Sequence, residues 1–154
     1  MTGLWVEKSY FCIKLMRFTE KELKKILTLD DFVNALYGGK YEDVLCQADD
    51  IVFSTDEFRK YAHWNDSHYT RNCIARDKHF ELLLLCWEPG QKTPIHGHSE
   101  QECMVKVLTG EFEEKGYQWD EETQTLIGIN TSVVSQHEIT SVQDQSILHT
   151  LENL

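Results

Sequence analysis

From Tyr69 onward the sequence is cut into short β-leaning runs separated by turn residues, and this punctuation limits the possible folds more than any other feature. The runs cover 69–74, 80–87, 103–108, 112–119, 132–134 and 146–151. Turn signals lie between them at Arg76-Asp77-Lys78, Pro89-Gly90, Thr109-Gly110, Trp119-Asp120 and Gly128-x-Asn130. Many short strands without intervening helices close into a sandwich or barrel. The region before residue 68 reads differently. Thr19-x-x-Glu22 and Ser54-x-x-Glu57 are capping-box patterns, each followed by apolar residues at helical spacing: Leu23, Ile26 and Leu27 after the first, Phe58, Tyr61 and Ala62 after the second. Asp30 and Asp31 can cap a helix carrying Phe32, Ala35 and Leu36, with Gly38-Gly39 as its stop, and Tyr41, Val44 and Leu45 suggest another. The stretch through Phe18 has no clear period and is not assigned. One mainly-β domain over 1–154 is expected, with helices over about 19–64 outside a barrel over about 69–151. The acidic cluster Asp120-Glu121-Glu122 reads as a solvated hairpin tip.

Charge and cysteine usage narrow the partners. Fifteen Lys and Arg against 26 Asp and Glu leave a net charge of −11, which argues against nucleic acid or an anionic membrane. The longest apolar run, 82–87, is far too short to span a bilayer. Acidic Glu7 and the lack of a sustained apolar stretch near the N-terminus argue against a secretory leader. The five cysteines, at 12, 46, 73, 86 and 103, are odd in number and include no C-x-x-C pair. Reduced thiols and a cytoplasmic location are expected, with the protein a monomer.

The segment from Pro89 to His98 carries the chemistry. Residues i and i+2 of a strand share a face, so His96 and His98 project together as half of a transition-metal site. Alone, His-x-His is a weak signal, about as often chance as function. A third histidine, His137, follows in the later β region as Gln136-His137-Glu138-Ile139, and the expected ligand set is His96, His98 and His137.

The spacing Gly90-x5-His96-x-His98-x4-Cys103-x6-Gly110 resembles the first motif of the cupin superfamily, with Cys103 where most cupins place a glutamate ligand. Three histidines with cysteine at that position resemble the cysteine dioxygenases. Tyr69-Thr70-Arg71-Asn72 is similar to that family's Tyr-x-Arg-Asn strand, and Leu85-Cys86-Trp87 to its next strand. The resemblance covers residues 41 to 112 well and 132 to 149 loosely. It implies a jelly-roll cupin barrel with helices packed outside, and a non-haem Fe(II) enzyme that oxidises L-cysteine with O2 to cysteine sulfinate. It implies further that Cys103 lies beside the iron, where the family's matching cysteine can form a thioether with a tyrosine. His149 resembles the family's histidine that hydrogen-bonds that tyrosine two residues on. Here that position is Leu151, so Cys103 is expected to stay a reduced thiol and His149 to be a catalytic-site residue without its partner.

The chemistry is consistent with this reading. Three neutral imidazoles leave a ferrous ion its full +2 charge, which favours a soft anionic ligand such as a thiolate. Arg71 offers a planar, permanently charged fork for the substrate's carboxylate, and Tyr69, two residues earlier on the same face, can add a hydroxyl. The alternatives are a dioxygenase for another small thiol and a metal-binding cupin impaired in catalysis. His63, His68 and His79 lie outside the motif and read as ordinary surface or core histidines.

Overall fold

The computed structural model describes residues 2–8, 25–98, 102–142 and 147–154. In chain order these form β1 (Thr2–Lys8), α1 (Leu29–Tyr37), α2 (Tyr41–Gln47), a 3-10 turn (Thr55–Phe58), β2 (Thr70–Arg76), β3 (Phe80–Cys86), β4 (Glu102–Val107), β5 (Glu111–Asp120), β6 (Thr125–Ser135), β7 (Ile139–Val142) and β8 (Ile147–Asn153). The strands make two antiparallel sheets, ordered β2-β3-β1-β4-β7 and β6-β5-β8. This is the mainly-β, cupin-like architecture expected from the strand punctuation, with short helices at the N-terminal side. Among the described residues, no helix is long and apolar enough to cross a membrane.

The helical region follows its local signals. Helix α1 is capped by Thr28, whose Oγ1 accepts from the Asp31 amide at 3.1 Å, so Asp30 and Asp31 sit in the first turn instead of capping. It ends at Gly38 and Gly39, the latter at φ 69. The Ser54–Glu57 capping box is formed, but it opens only a 3-10 turn. The Thr19–Glu22 box lies outside the described residues. Strand β1 falls in the unassigned opening stretch. Its backbone pairs with β3 from Thr2↔Cys86 to Lys8↔Phe80, and with β4 from Gly3↔Val107 to Lys8↔Glu102.

Strand β3 explains why 80–87 is so apolar. Leu82, Leu84 and Cys86 pack with Phe32, Leu36, Val44 and Phe58 of the helical layer. Leu83 and Leu85 face the other way and pack with Trp87, Cys103, Val105, Phe112 and Leu151 between the sheets. A strand buried on both faces needs no alternation. Strand β6 is longer than its sequence suggests, because Gly128 and Asn130 mark a bulge rather than a turn. The register shifts between Gly116 and Tyr117 of β5, and Asn130 Oδ1 accepts from the Gly116 amide at 2.9 Å. The turn after Asp120 is the solvated tip expected, with Asp120 Oδ1 accepting from the amides of Glu122 and Thr123.

One buried charge joins helices to barrel. Lys106, only 4% exposed, points from β4 toward α2. Its ammonium donates to Ala48 O at 2.8 Å, Asp49 O at 3.2 Å and His137 O at 2.9 Å. A cation on the last carbonyls of a helix is well placed electrostatically. Replacing Lys106 with Met keeps the apolar stem and removes all three donors. The expected cost is about 2–4 kcal/mol, read as a lower urea midpoint with an unchanged slope. A midpoint equal to the parent's would show that those carbonyls are satisfied without the ammonium.

Candidate metal centre

The residues after β3 build the site. Glu88 to Gln91 form a turn closed by the Gln91 amide on Glu88 O at 3.1 Å, with Gly90 at φ 80. The chain then runs antiparallel along the outer edge of β8. Gly90 N donates to Asn153 O at 2.8 Å, and Asn153 N to Gln91 O at 3.0 Å. Thr93 N donates to Leu151 O at 2.9 Å and its hydroxyl accepts from Leu151 N at 3.0 Å. Finally, His96 and His149 exchange both backbone hydrogen bonds, at 3.1 and 2.8 Å. Residues opposed in this way place their side chains on one face of the pair. The imidazoles of His96 and His149 therefore lie together, with ring centroids 4.6 Å apart. His98, two residues on from His96, joins the same face at 5.0 and 5.1 Å from the other two rings.

This differs from the expected set. Among the described residues, the one group of three or more His, Cys, Asp or Glu side chains able to hold a metal is His96, His98 and His149, with donor atoms all within 4.8 Å of one another. His137 is not part of it. It lies in the exposed turn between β6 and β7 at φ 73, where its backbone is fixed by Val107 O at 2.7 Å and by the Lys106 ammonium. Histidine is among the residues that adopt the left-handed region more readily than most. The sequence held a signal for His149. Strand β8 alternates in burial so that His149, Leu151 and Asn153 face inward, and a histidine on an apolar inward face asks for partners. Leu151 is 1% exposed in the apolar cluster that also holds Cys103, so position 151 is a core position. Cys103, 4% exposed, lies in that cluster and outside the converging histidines.

Hydrogen bonds orient the rings. His96 Nδ1 meets Pro94 O at 3.0 Å and His149 Nδ1 meets Glu114 Oε1 at 2.7 Å. Each contact calls for an Nδ1–H donor, so the lone pair sits on Nε2. His98 Nε2 and His149 Nε2 are 2.9 Å apart. Two nitrogens at right angles, each about 2.1 Å from an ion, would stand roughly 3.0 Å apart, so the pair fits one edge of an octahedron. Glu114 was not anticipated. It follows Phe112 by two residues on β5, hence on the inward face, and its second oxygen accepts from Thr140 Oγ1 on β7.

Electrostatics keep the cluster ready for a cation. Burial is the main cause that lowers the His98 pKa to about 4, helped by His149, His96 and Arg71 and opposed by Glu114. Burial also lowers His96, with Pro94 O opposing and His149 and Arg71 adding. Burial alone would raise Glu114, but hydrogen bonds from His149 and Thr140 hold it below the ordinary carboxylate range. Arg71 is opposite Leu85 in the β2–β3 register, which puts it on the inward face at an exposed position. Its charge reaches both His96 and His98. Tyr69 is half-buried, its ring stacked on Trp87 at 5.0 Å and 17°.

A mainly-β, cupin-like fold with three converging histidines defines a candidate metal-dependent site of the cupin type. The particular family is then given by comparison: the pattern of the family Cysteine dioxygenase type I matches residues 40–154. The chain belongs to that family, which makes it a dioxygenase, an enzyme of the oxidoreductase class. It is similar to the cysteine dioxygenase type 1 of Rattus norvegicus, 28% identical over 141 residues, and of Bos taurus, 27% identical over 141 residues; each alignment covers 86% of this chain and 70% of the relative. The Homo sapiens protein of the same name is 27% identical over 143 residues, covering 88% of this chain and 72% of the relative.

The His98 environment predicts a pH dependence for the metal-free protein. An unfolded histidine titrates near 6.5, whereas folded His98 stays neutral to about pH 4. Between those values the unfolded chain binds the extra proton, so stability is complete above about 6.5 and falls as pH drops. The loss from this residue should reach roughly 3 kcal/mol near pH 4. Urea midpoints from pH 7.5 to 4.5 should fall in the parent and flatten in His98→Gln. Parallel slopes would show that another group titrates.

Proposed function

We propose that the protein is a thiol dioxygenase that holds ferrous iron on His96, His98 and His149 and oxidises L-cysteine to cysteine sulfinate. The observation that carries this reading is the convergence of His96, His98 and His149, with Arg71 on the inward face of β2 opposite Leu85. Family membership and the similar relatives' printed activity support it. The reaction balances simply: the thiolate takes both atoms of dioxygen, so RS⁻ and O2 become RSO2⁻, two steps up the sulfur oxidation ladder. Ferrous iron, when bound, supplies the redox chemistry that lets dioxygen react with a thiolate at neutral pH.

The remaining work falls to side chains. Imidazole nitrogens of three histidines suit a divalent transition-metal ion. Arg71 holds the amino acid's carboxylate in its planar fork, which aims the thiol at the histidines. Tyr69, braced on Trp87, offers its hydroxyl at the same side. Cys103 and Leu151 belong to the buried apolar cluster between the sheets. A reducing compartment such as the cytosol suits both a free thiol and ferrous iron.

Two measurements test this reading. Aerobic incubation of the Fe(II)-loaded protein with L-cysteine should yield a product heavier by two oxygen atoms, with matching oxygen uptake. Arg71→Ala should lower kcat/KM for cysteine about tenfold to a hundredfold, the equivalent of roughly 1.5–3 kcal/mol for hydrogen bonds to a charged group, while turnover of cysteamine changes little. Equal losses on both thiols would make Arg71 structural. The ligand set is tested separately: His149→Ala should abolish stoichiometric metal binding and His137→Ala should leave it intact. The reverse result would restore His137 to the site.

A further inference from the structure

We infer that Glu114 is the positioning residue of this centre: acting through His149, its carboxylate fixes the imidazole and supplies a negative charge that a ligand set made only of histidines lacks. The inference rests on the reading of His149 as a metal ligand. The Glu114 side chain is 13% exposed and that of His149 4%, with Oε1 on Nδ1 at 2.7 Å. This bond allows one tautomer and one ring rotation, and directs Nε2 toward His98. A carboxylate behind a ligating imidazole also makes it a stronger donor.

The carboxylate is itself held. Its Oε2 accepts from Thr140 Oγ1 on β7, at the edge of the five-stranded sheet, whereas Glu114 and His149 belong to the three-stranded sheet. The chain of contacts from Thr140 through Glu114 to His149 and His98 therefore crosses between the sheets. By contrast, the adjacent Glu113 points outward and pairs with Lys115 at 2.6 Å. Glu113 and Glu114 are identical in type, and only the strand's alternation separates their roles.

The test uses the full chain loaded anaerobically with Fe(II). Affinity is measured by competition with a chromogenic chelator, and the Fe(III)/Fe(II) midpoint by mediated titration. Glu114→Gln keeps an acceptor for the imidazole N–H and removes only the charge. It should weaken Fe(II) binding by about 10- to 100-fold and raise the midpoint, because the lost negative charge had favoured the ferric state. Thr140→Val should move both quantities in the same direction by less, and Glu113→Gln should move neither. If Glu114→Gln loses its native circular dichroism, Thr140→Val carries the test with the same two readouts. Wild-type affinity and midpoint in both Glu114→Gln and Thr140→Val would overturn the inference and leave the proposed site standing. A parent protein that binds no Fe(II) would overturn the site reading, and this inference with it.

Discussion

The reciprocal backbone pair between His96 and His149 is the contact on which the centre depends. It is an ordinary antiparallel hydrogen-bonded pair, yet it joins a loop after β3 to the last strand. Strand geometry then does the rest. Opposed residues share a face, and i and i+2 share a face, so one paired position brings three imidazoles together. The turn at Glu88–Gln91 and the Thr93–Leu151 bonds hold the register that this pairing needs. The site is thus a property of main-chain pairing first and of side-chain packing second.

Strand β3 plays the corresponding part for the rest of the molecule. Its two buried faces serve different layers, with Leu82 and Leu84 toward the helices and Leu83 and Leu85 toward the space between the sheets. Arg71 is opposed to Leu85, so the strand that forms the wall also sets which side the arginine occupies. Lys106 is the polar counterpart on β4, an ammonium whose bonds to Ala48, Asp49 and His137 carbonyls tie the helical layer to the barrel rim.

Much of this was legible in the residues. Short runs with Gly, Pro and Asp between them announced the sheets, and His96-x-His98 announced two of the three converging histidines. His137 was read as the third histidine because it sits before a β-leaning run, whereas the histidine that converges with the other two is set by register with His96, which a single sequence does not display. Glu114 was invisible for the same reason, since it and Glu113 look alike until the inward face of β5 is known. Strand β1 escaped because its seven residues show no period, and Thr125–Asn130 escaped because a bulge and a turn use the same residues. Most of these failures concern long-range pairing, whereas the local signals erred by less, as where the Ser54–Glu57 box opened a 3-10 turn in place of a helix.

The pairing of 90–96 with β8 also sets where a gene encoding this fold can change length. Adding or deleting one residue between the Gly90 turn and His98 would flip every following side chain to the opposite face and dismantle the imidazole cluster. At the far end of the β5–β6 hairpin, residues 121–124 close a solvated tip through the Asp120 carboxylate, and extra residues there disturb neither sheet. Insertions accumulated over evolutionary time should therefore collect at that tip and spare the spacing from Gly90 to His98.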